Sequence, residues 1–193
     1  MRKVYKATST LADRASFLMK FVHSPKDIGS ITPSSSFLAK AMIKPIDWEK
    51  LESVVELGAG TGVFTRYIQD RKRPSCKAVI FEQDPELRGR LKNLYPNLVF
   101  RSNAENLFSD LQELGLPEVD CILSGLPFAN FSPDLREKIL SEVVRSLKPG
   151  GLFIAFQYFP QLKSELKKYF PNIHFSVVPL NLPPAFVYCC TKS

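Results

Sequence analysis

The residues with the clearest chemical meaning form the run Val54-Val55-Glu56-Leu57-Gly58-Ala59-Gly60-Thr61-Gly62, in which a short β-favouring stretch leads into glycines at alternate positions. Gly58 suits a tight turn, and Gly60 and Gly62 let the backbone approach a ligand with no Cβ in between. A helix starting near Val63 would aim its unpaired amides at the same ligand. A dinucleotide loop reads G-x-G-x-x-G, and counted from Gly58 its last glycine would fall at Val63. The G-x-G-x-G spacing, with the acid Glu56 at the strand end, instead suits a ligand without a pyrophosphate that carries an ammonium, which Glu56 attracts directly or through water. Glu82 lies 20 residues after Gly62 and closes the apolar run Ala78-Val79-Ile80-Phe81. Nucleoside-binding α/β folds place an acid there to take the ribose hydroxyls. Gln83 would then flank the adenine, and Asn103 and Ala104 would offer its edge a polar side chain and a backbone N–H.

These residues need a scaffold that brings several strand ends together, and the rest of the chain supplies its pattern. Short apolar runs at Ser53–Leu57, Lys77–Glu82, Leu98–Ser102, Val119–Ser124, Leu152–Gln157, His174–Pro179 and Ala185–Thr191 read as strands, with helix-compatible stretches between most of them. That alternation predicts an α/β, Rossmann-like sheet of seven mostly parallel strands covered on both faces. Only Leu180–Pro184 separates the last two runs, too short for a crossover helix, so they should close the sheet as a C-terminal antiparallel hairpin.

The chain of 193 residues is long enough for one such domain and cramped for two, so residues 1–193 are read as a single domain with 1–50 as an N-terminal helical extension. Apolar residues at 45% and charged residues at 23% are ordinary globular usage and exclude a disordered chain. The cysteines at 76, 121, 189 and 190 form no C-x-x-C, and no histidine stands at ligand spacing, so neither a disulfide framework nor a metal site is expected. No signal peptide and no spanning apolar run is legible, which makes a reducing cytoplasm the expected location. The net charge of +7 favours an anionic partner, a nucleic acid or an anionic bilayer.

Within the extension, Leu11, Ala15, Leu18, Phe21 and Val22 recur at helical spacing among Arg14 and Lys20. This predicts a basic amphipathic helix that either packs on the domain or stays partly exposed to meet lipid or substrate. A second helix is signalled by Thr32 as N-cap and Pro33 at the first helical position. The hydroxyls of Ser34 and Ser35 then either cap that helix or hold an anionic group of a substrate.

The glycine loop, Glu82, the Asn103-Ala104 turn and Leu147-Lys148-Pro149-Gly150-Gly151 together resemble the class I S-adenosylmethionine-dependent methyltransferases over roughly residues 50–193. The resemblance implies S-adenosyl-L-methionine as cofactor, held by Glu56, Gly58, Ala59, Gly60, Gly62, Glu82, Gln83, Asn103, Ala104 and Ser124. Within that superfamily, Pro33-Ser34-Ser35, Ser124-Gly125-Leu126-Pro127-Phe128 and Pro183-Pro184-Ala185-Phe186-Val187-Tyr188 resemble small bacterial phospholipid N-methyltransferases. That likeness implies a phospholipid amine such as phosphatidylethanolamine as acceptor, met at the inner face of an anionic membrane, with Ser34, Ser35, Phe128 and Tyr158 on the substrate side.

The runner-up resemblance is to ribosomal RNA adenine dimethyltransferases, which end their fourth strand with Asn-Leu-Pro-Tyr or Asn-Leu-Pro-Phe where this chain has Gly125-Leu126-Pro127-Phe128. Gly125 offers no side-chain acceptor to an adenine amine, although Phe128 would still stack on a base. Methyl transfer from a sulfonium needs alignment in a dry pocket rather than a metal. Tyr158, past the fifth strand, is the candidate to orient an acceptor amine. His23 and His174, the only histidines, sit away from the expected strand ends, so no general base is assigned. A cofactor-binding, lipid-associated module without catalysis is the remaining alternative.

Overall fold

A computed structural model of the chain describes residues 33–193, with side chains from residue 36 onward. The basic segment Leu11–Val22 and Thr32 lie outside the described residues, as do the side chains of Ser34 and Ser35. Helix α1, Pro33–Ile43, begins at the proline that the sequence marks as its first residue.

From there strands and helices alternate. Strand β1 is Ser53–Leu57, α2 Val63–Arg71, β2 Lys77–Phe81, α3 Pro85–Leu94, β3 Val99–Arg101 and α4 Leu107–Glu113. Strand β4 is Val119–Ser124, α5 Pro133–Ser146, β5 Leu147–Gln157, α6 Leu162–Leu166, β6 Asn172–Val178 and β7 Ala185–Thr191. The strand order is β3-β2-β1-β4-β5-β7-β6, parallel except where β7 pairs antiparallel with both β5 and β6. The expected seven-stranded, mostly parallel Rossmann-like sheet with its terminal hairpin is therefore the fold. Helices α1 to α3 cover one face through residues such as Met42, Ile68 and Leu91. Helices α4 to α6 cover the other through Leu111, Leu140 and Leu166.

Four strands differ in their bounds from the sequence reading, β2 ending at Phe81 rather than Glu82. Strand β3 has three residues, and β6 begins two residues earlier, at Asn172. Strand β5 begins at Leu147 rather than Leu152, because Leu147 already pairs with Val119 and residues 148–151 bulge out before Leu152 pairs with Cys121. Lys148, inside that bulge, reaches the Asp120 carboxylate at 2.7 Å and so fastens the inserted residues to β4.

The strand order reverses direction at β1 and β4, and the chain leaves β1 for α2 on one face of the sheet and β4 for α5 on the other. In doubly wound sheets this switch point opens the crevice where ligands bind. Backbone pairing runs in one row through Arg101, Phe81, Leu57, Ser124, Ala155, Tyr188 and Phe175. Everything just past that row, on the carboxyl side, belongs to one edge: the glycine loop, the turn after β4, the end of β5 and the β6–β7 turn.

Candidate active site

The glycine loop leaves β1 at the centre of this edge. Gly58, Gly60 and Gly62 all have positive φ, the left-handed region that L side chains rarely adopt. Their surroundings separate their roles. A Cβ at Gly58 would press on Leu126 Cδ2 at 2.9 Å, and one at Gly62 on Leu91 Cδ2 at 2.4 Å, so both glycines serve packing. A Cβ at Gly60 would meet nothing within 4 Å, so this glycine faces the open side of the loop. Ala59 is buried beneath it. Gly62, the N-cap of α2, brings no side chain to cap the helix, which leaves its first amides for a ligand.

Glu56 is wholly buried at the end of β1. Its Oε2 accepts a hydrogen bond from the Thr65 hydroxyl at 2.6 Å, while Oε1 is buried with no partner among the described residues. Burial pushes the carboxyl up to about 8, the Thr65 hydrogen bond opposes that rise, and the Glu82 charge adds to it. An ammonium reaching Oε1 would supply both the missing partner and the countercharge.

Glu82, also buried, holds the other side of the loop. Its Oε2 accepts from the Gly60 amide at 2.6 Å, and Oε1 accepts from the Asp84 amide at 2.9 Å. The neighbouring Arg88 guanidinium donates to the carbonyls of Glu82 and Gln83, which fixes this turn, while the Gln83 side chain stays exposed.

Asn103, expected at the adenine edge, is engaged by the turn that follows it. Its Oδ1 accepts from the Glu105 amide at 2.9 Å and its side chain also bonds the Glu105 carboxylate, so it caps the 3-10 turn Ala104–Asn106. Ala104 opens that turn and remains half-buried. Ser124 is fully buried, and its hydroxyl accepts from the Leu126 amide at 3.3 Å, which makes it a support for the turn after β4.

Phe128, expected on the substrate side, packs in the core. It is 1% exposed and packs edge-on against Phe131, because the 3-10 turn Phe128–Asn130 folds the ring inward over the α5 layer. Tyr158, expected on the substrate side, lies just past the end of β5, half-buried, with its ring edge-on to Phe156 at 5.7 Å. Burial raises its phenol above the ordinary tyrosine range, and a hydrogen bond to Asn181 offsets part of that.

Two residues that the sequence reading passed over organise this edge. Thr65, in the first turn of α2, is the partner of Glu56. Gln157, buried at the end of β5, donates through Nε2 to the Leu126 carbonyl at 2.9 Å and accepts through Oε1 from the Ala129 amide at 3.3 Å. A polar residue closing an otherwise apolar strand was the available signal for it. Gly125 explains the closeness of β1 and β4: a Cβ there would lie 2.8 Å from the Gly58 carbonyl oxygen. A cleft of about 500 Å³ lined by Glu52, Arg73, Lys77 and Lys148 lies at the opposite, amino edge, far from these groups.

The comparisons with known proteins agree with this geometry. Residues 54–151 match the family model for a methyltransferase domain. An ornithine lipid N-methyltransferase from Singulisphaera acidiphila is 34% identical over 179 residues, covering 90% of this chain and 93% of that protein. Ribosomal RNA small subunit methyltransferase A from Thermotoga petrophila is 30% identical over 130 residues, or 64% of this chain and 46% of that protein. The chain thus spans less than half of the ribosomal RNA enzyme. The solved structure of 1,6-didemethyltoxoflavin-N1-methyltransferase from Burkholderia thailandensis superposes with a TM-score of 0.67 over 94% of this chain and 88% of that one, at 15% identity, a likeness of fold. On the family model and the full-length relative together, the chain belongs to the methyltransferase-domain family and is an S-adenosylmethionine-dependent methyltransferase.

Proposed function

We propose that this enzyme N-methylates an amine in a lipid headgroup, with phosphatidylethanolamine as the first acceptor to test. The observation that carries this reading is the likeness to an ornithine lipid N-methyltransferase along nearly the whole of both chains. The basic charge of +7 suits work at an anionic membrane surface. Among the described residues no helix is long and apolar enough to cross a membrane.

The residues around the loop fit the cofactor. Open space at Gly60 leaves room for close backbone approach, the unpartnered Glu56 Oε1 suits the methionyl ammonium, and Glu82 suits the ribose hydroxyls. Gln83 and Ala104 lie at the ends of the neighbouring turns, on the side assigned to the adenine. When bound, S-adenosylmethionine supplies a methyl group on a sulfonium, an electrophile needing no metal. The protein's task is then to hold a deprotonated amine in line and keep water out. Tyr158 orients that amine with its ring face and hydroxyl. Its raised pKa keeps the phenol protonated, which suits a positioning group and not a base.

Against methylation of adenine stands Gly125. In this backbone an asparagine side chain at that position has no room beside the Gly58 carbonyl, so the side-chain acceptor of the adenine enzymes is lacking. Incubation with methyl-labelled cofactor, phosphatidylethanolamine or ornithine lipid in mixed micelles, and ribosomal RNA in a separate reaction tests the reading. Label in the lipid fraction is expected; label in RNA alone overturns it.

A further inference from the structure

The six residues between β6 and β7 invert the usual pattern of a surface turn. Asn181, the polar residue, is 4% exposed, while Leu180 and Leu182 on either side of it are 67% and 84% exposed. A buried polar side chain and a contiguous exposed apolar patch are the departures from ordinary burial that carry information. The Asn181 amide explains the arrangement. Its Nδ2 donates to the Pro183 carbonyl at 2.6 Å, and its side chain bonds the Tyr158 phenol, so the turn is pinned to the acceptor edge with both leucines facing outward. Val177, at 49% exposure on the edge strand β6, extends the apolar surface toward the sheet.

The location is as informative as the composition. Phe175 lies in the same sheet row as Leu57 and Ser124, where the glycine loop and the β4 turn begin. Strand β6 continues three residues past that row, to Val178, before the turn starts. At about 3.4 Å per residue the turn stands roughly 10 Å beyond the row, on the side of the sheet where the acceptor must arrive. Lys163 lies against this hairpin, its Nζ 5.0 Å from the ring centroid of Phe175, which in turn stacks on Phe186, the partner of Val177.

We propose that the β6–β7 turn is a membrane-docking tip, in which Leu180 and Leu182 enter the apolar boundary of an anionic bilayer and Lys163 meets the headgroups. This rests on the lipid reading above and deepens it, because a tip pinned to Tyr158 through Asn181 would carry the acceptor edge down to the headgroup layer. Charge and shape favour a bilayer over a second copy of the chain. The protein is basic overall, and two leucines on one narrow turn offer far less surface than the roughly 1,200 Å² a stable dimer needs.

The full-length protein with Leu182→Trp reports docking directly, since the only native tryptophan, Trp48, is 9% exposed and gives a constant background. Adding vesicles of phosphatidylcholine with phosphatidylglycerol should shift the new emission to the blue. Leu180→Ser with Leu182→Ser should weaken partition onto the same vesicles by about tenfold or more, with the melting temperature and cofactor affinity of the parent. Unchanged partition of the double variant overturns the proposal, as does a parent dimer that the double variant converts to monomer. The two readings fail separately. Lipid in mixed micelles methylated equally by parent and double variant, with no difference on vesicles, leaves the lipid assignment standing and removes the tip. Tip-dependent partition without any lipid methylation does the reverse.

Discussion

The Glu82 carboxylate accepts a hydrogen bond from the Gly60 amide at 2.6 Å, so the acid at the end of β2 and the glycine at the apex of the β1 loop hold each other in place. The loop's shape is thus set from a neighbouring strand and not by its own glycines alone. Glu82→Ala removes this bond together with the expected ribose acceptor, and S-adenosylmethionine affinity should fall by about 1.5–3 kcal/mol, tenfold or more. Gly60→Val should abolish measurable binding, because its side chain fills the open space at φ +55. Calorimetric titration of both variants checks this; parental affinity in both would mean that the cofactor lies elsewhere.

Glu56 makes the protein sensitive to pH. Its folded-state pKa, raised to about 8 chiefly by burial, lies above the ordinary 4.5, so the folded state binds the proton more tightly than the unfolded chain. Its contribution to stability is therefore full below about pH 4.5 and is lost as pH rises through about 8. Glu56→Gln should flatten the fall in melting temperature across that window and be the more stable protein at pH 8. Thr65→Val should move the loss to higher pH, since the hydroxyl stabilises the charged carboxylate. Thermal melts between pH 5 and 9 read both effects.

An ammonium-bearing ligand at Oε1 needs the charged form of Glu56, so its binding releases a proton at neutral pH. Affinity for S-adenosylmethionine should then rise from about pH 6 to 8, approaching tenfold per unit at the steepest, and Glu56→Gln should lose that dependence. Titrations in buffers of different ionisation enthalpy measure the proton release; its absence would remove Glu56 from the ammonium site.

Gln157 joins the two ends of the turn after β4, through the Leu126 carbonyl and the Ala129 amide. Gln157→Met keeps the volume but strands the Ala129 amide and leaves the Leu126 carbonyl only its bond from the Phe128 amide, at a cost of about 1–3 kcal/mol of stability. Cofactor affinity should stay within about twofold, while kcat/KM for the acceptor should fall about tenfold or more. Equal losses for cofactor and acceptor would make Gln157 a general support of the fold.

Gly125→Asn tests whether the adenine-enzyme motif can be restored. The new Cβ would meet the Gly58 carbonyl oxygen at 2.8 Å, and backbone cannot give way as a side chain can. The variant should lose about 1–3 kcal/mol of stability and some cofactor affinity, without gaining RNA methylation. Melting curves and labelled-RNA assays decide it.

The glycine spacing, the alternation of runs and the short final connection determined the sheet, its hairpin and the position of the cofactor loop, because local turn chemistry and side-chain periodicity are written directly in the order of residues. The acids Glu56 and Glu82 were legible for the same reason: each lies within one residue of the end of a strand. What each side chain touches depended on contacts between segments distant in sequence. Phe128 and Asn103 have residue types that suit ligand contact, yet the 3-10 turns that hold them make one a core ring and the other a cap. Thr65 acquires its role only when α2 folds back over β1, and Gln157 only when β5 lies beside the turn after β4. Gly125 is informative in sequence as a missing acceptor, but the reason no side chain fits there is a carbonyl 67 residues away, brought within contact by the pairing of β1 with β4.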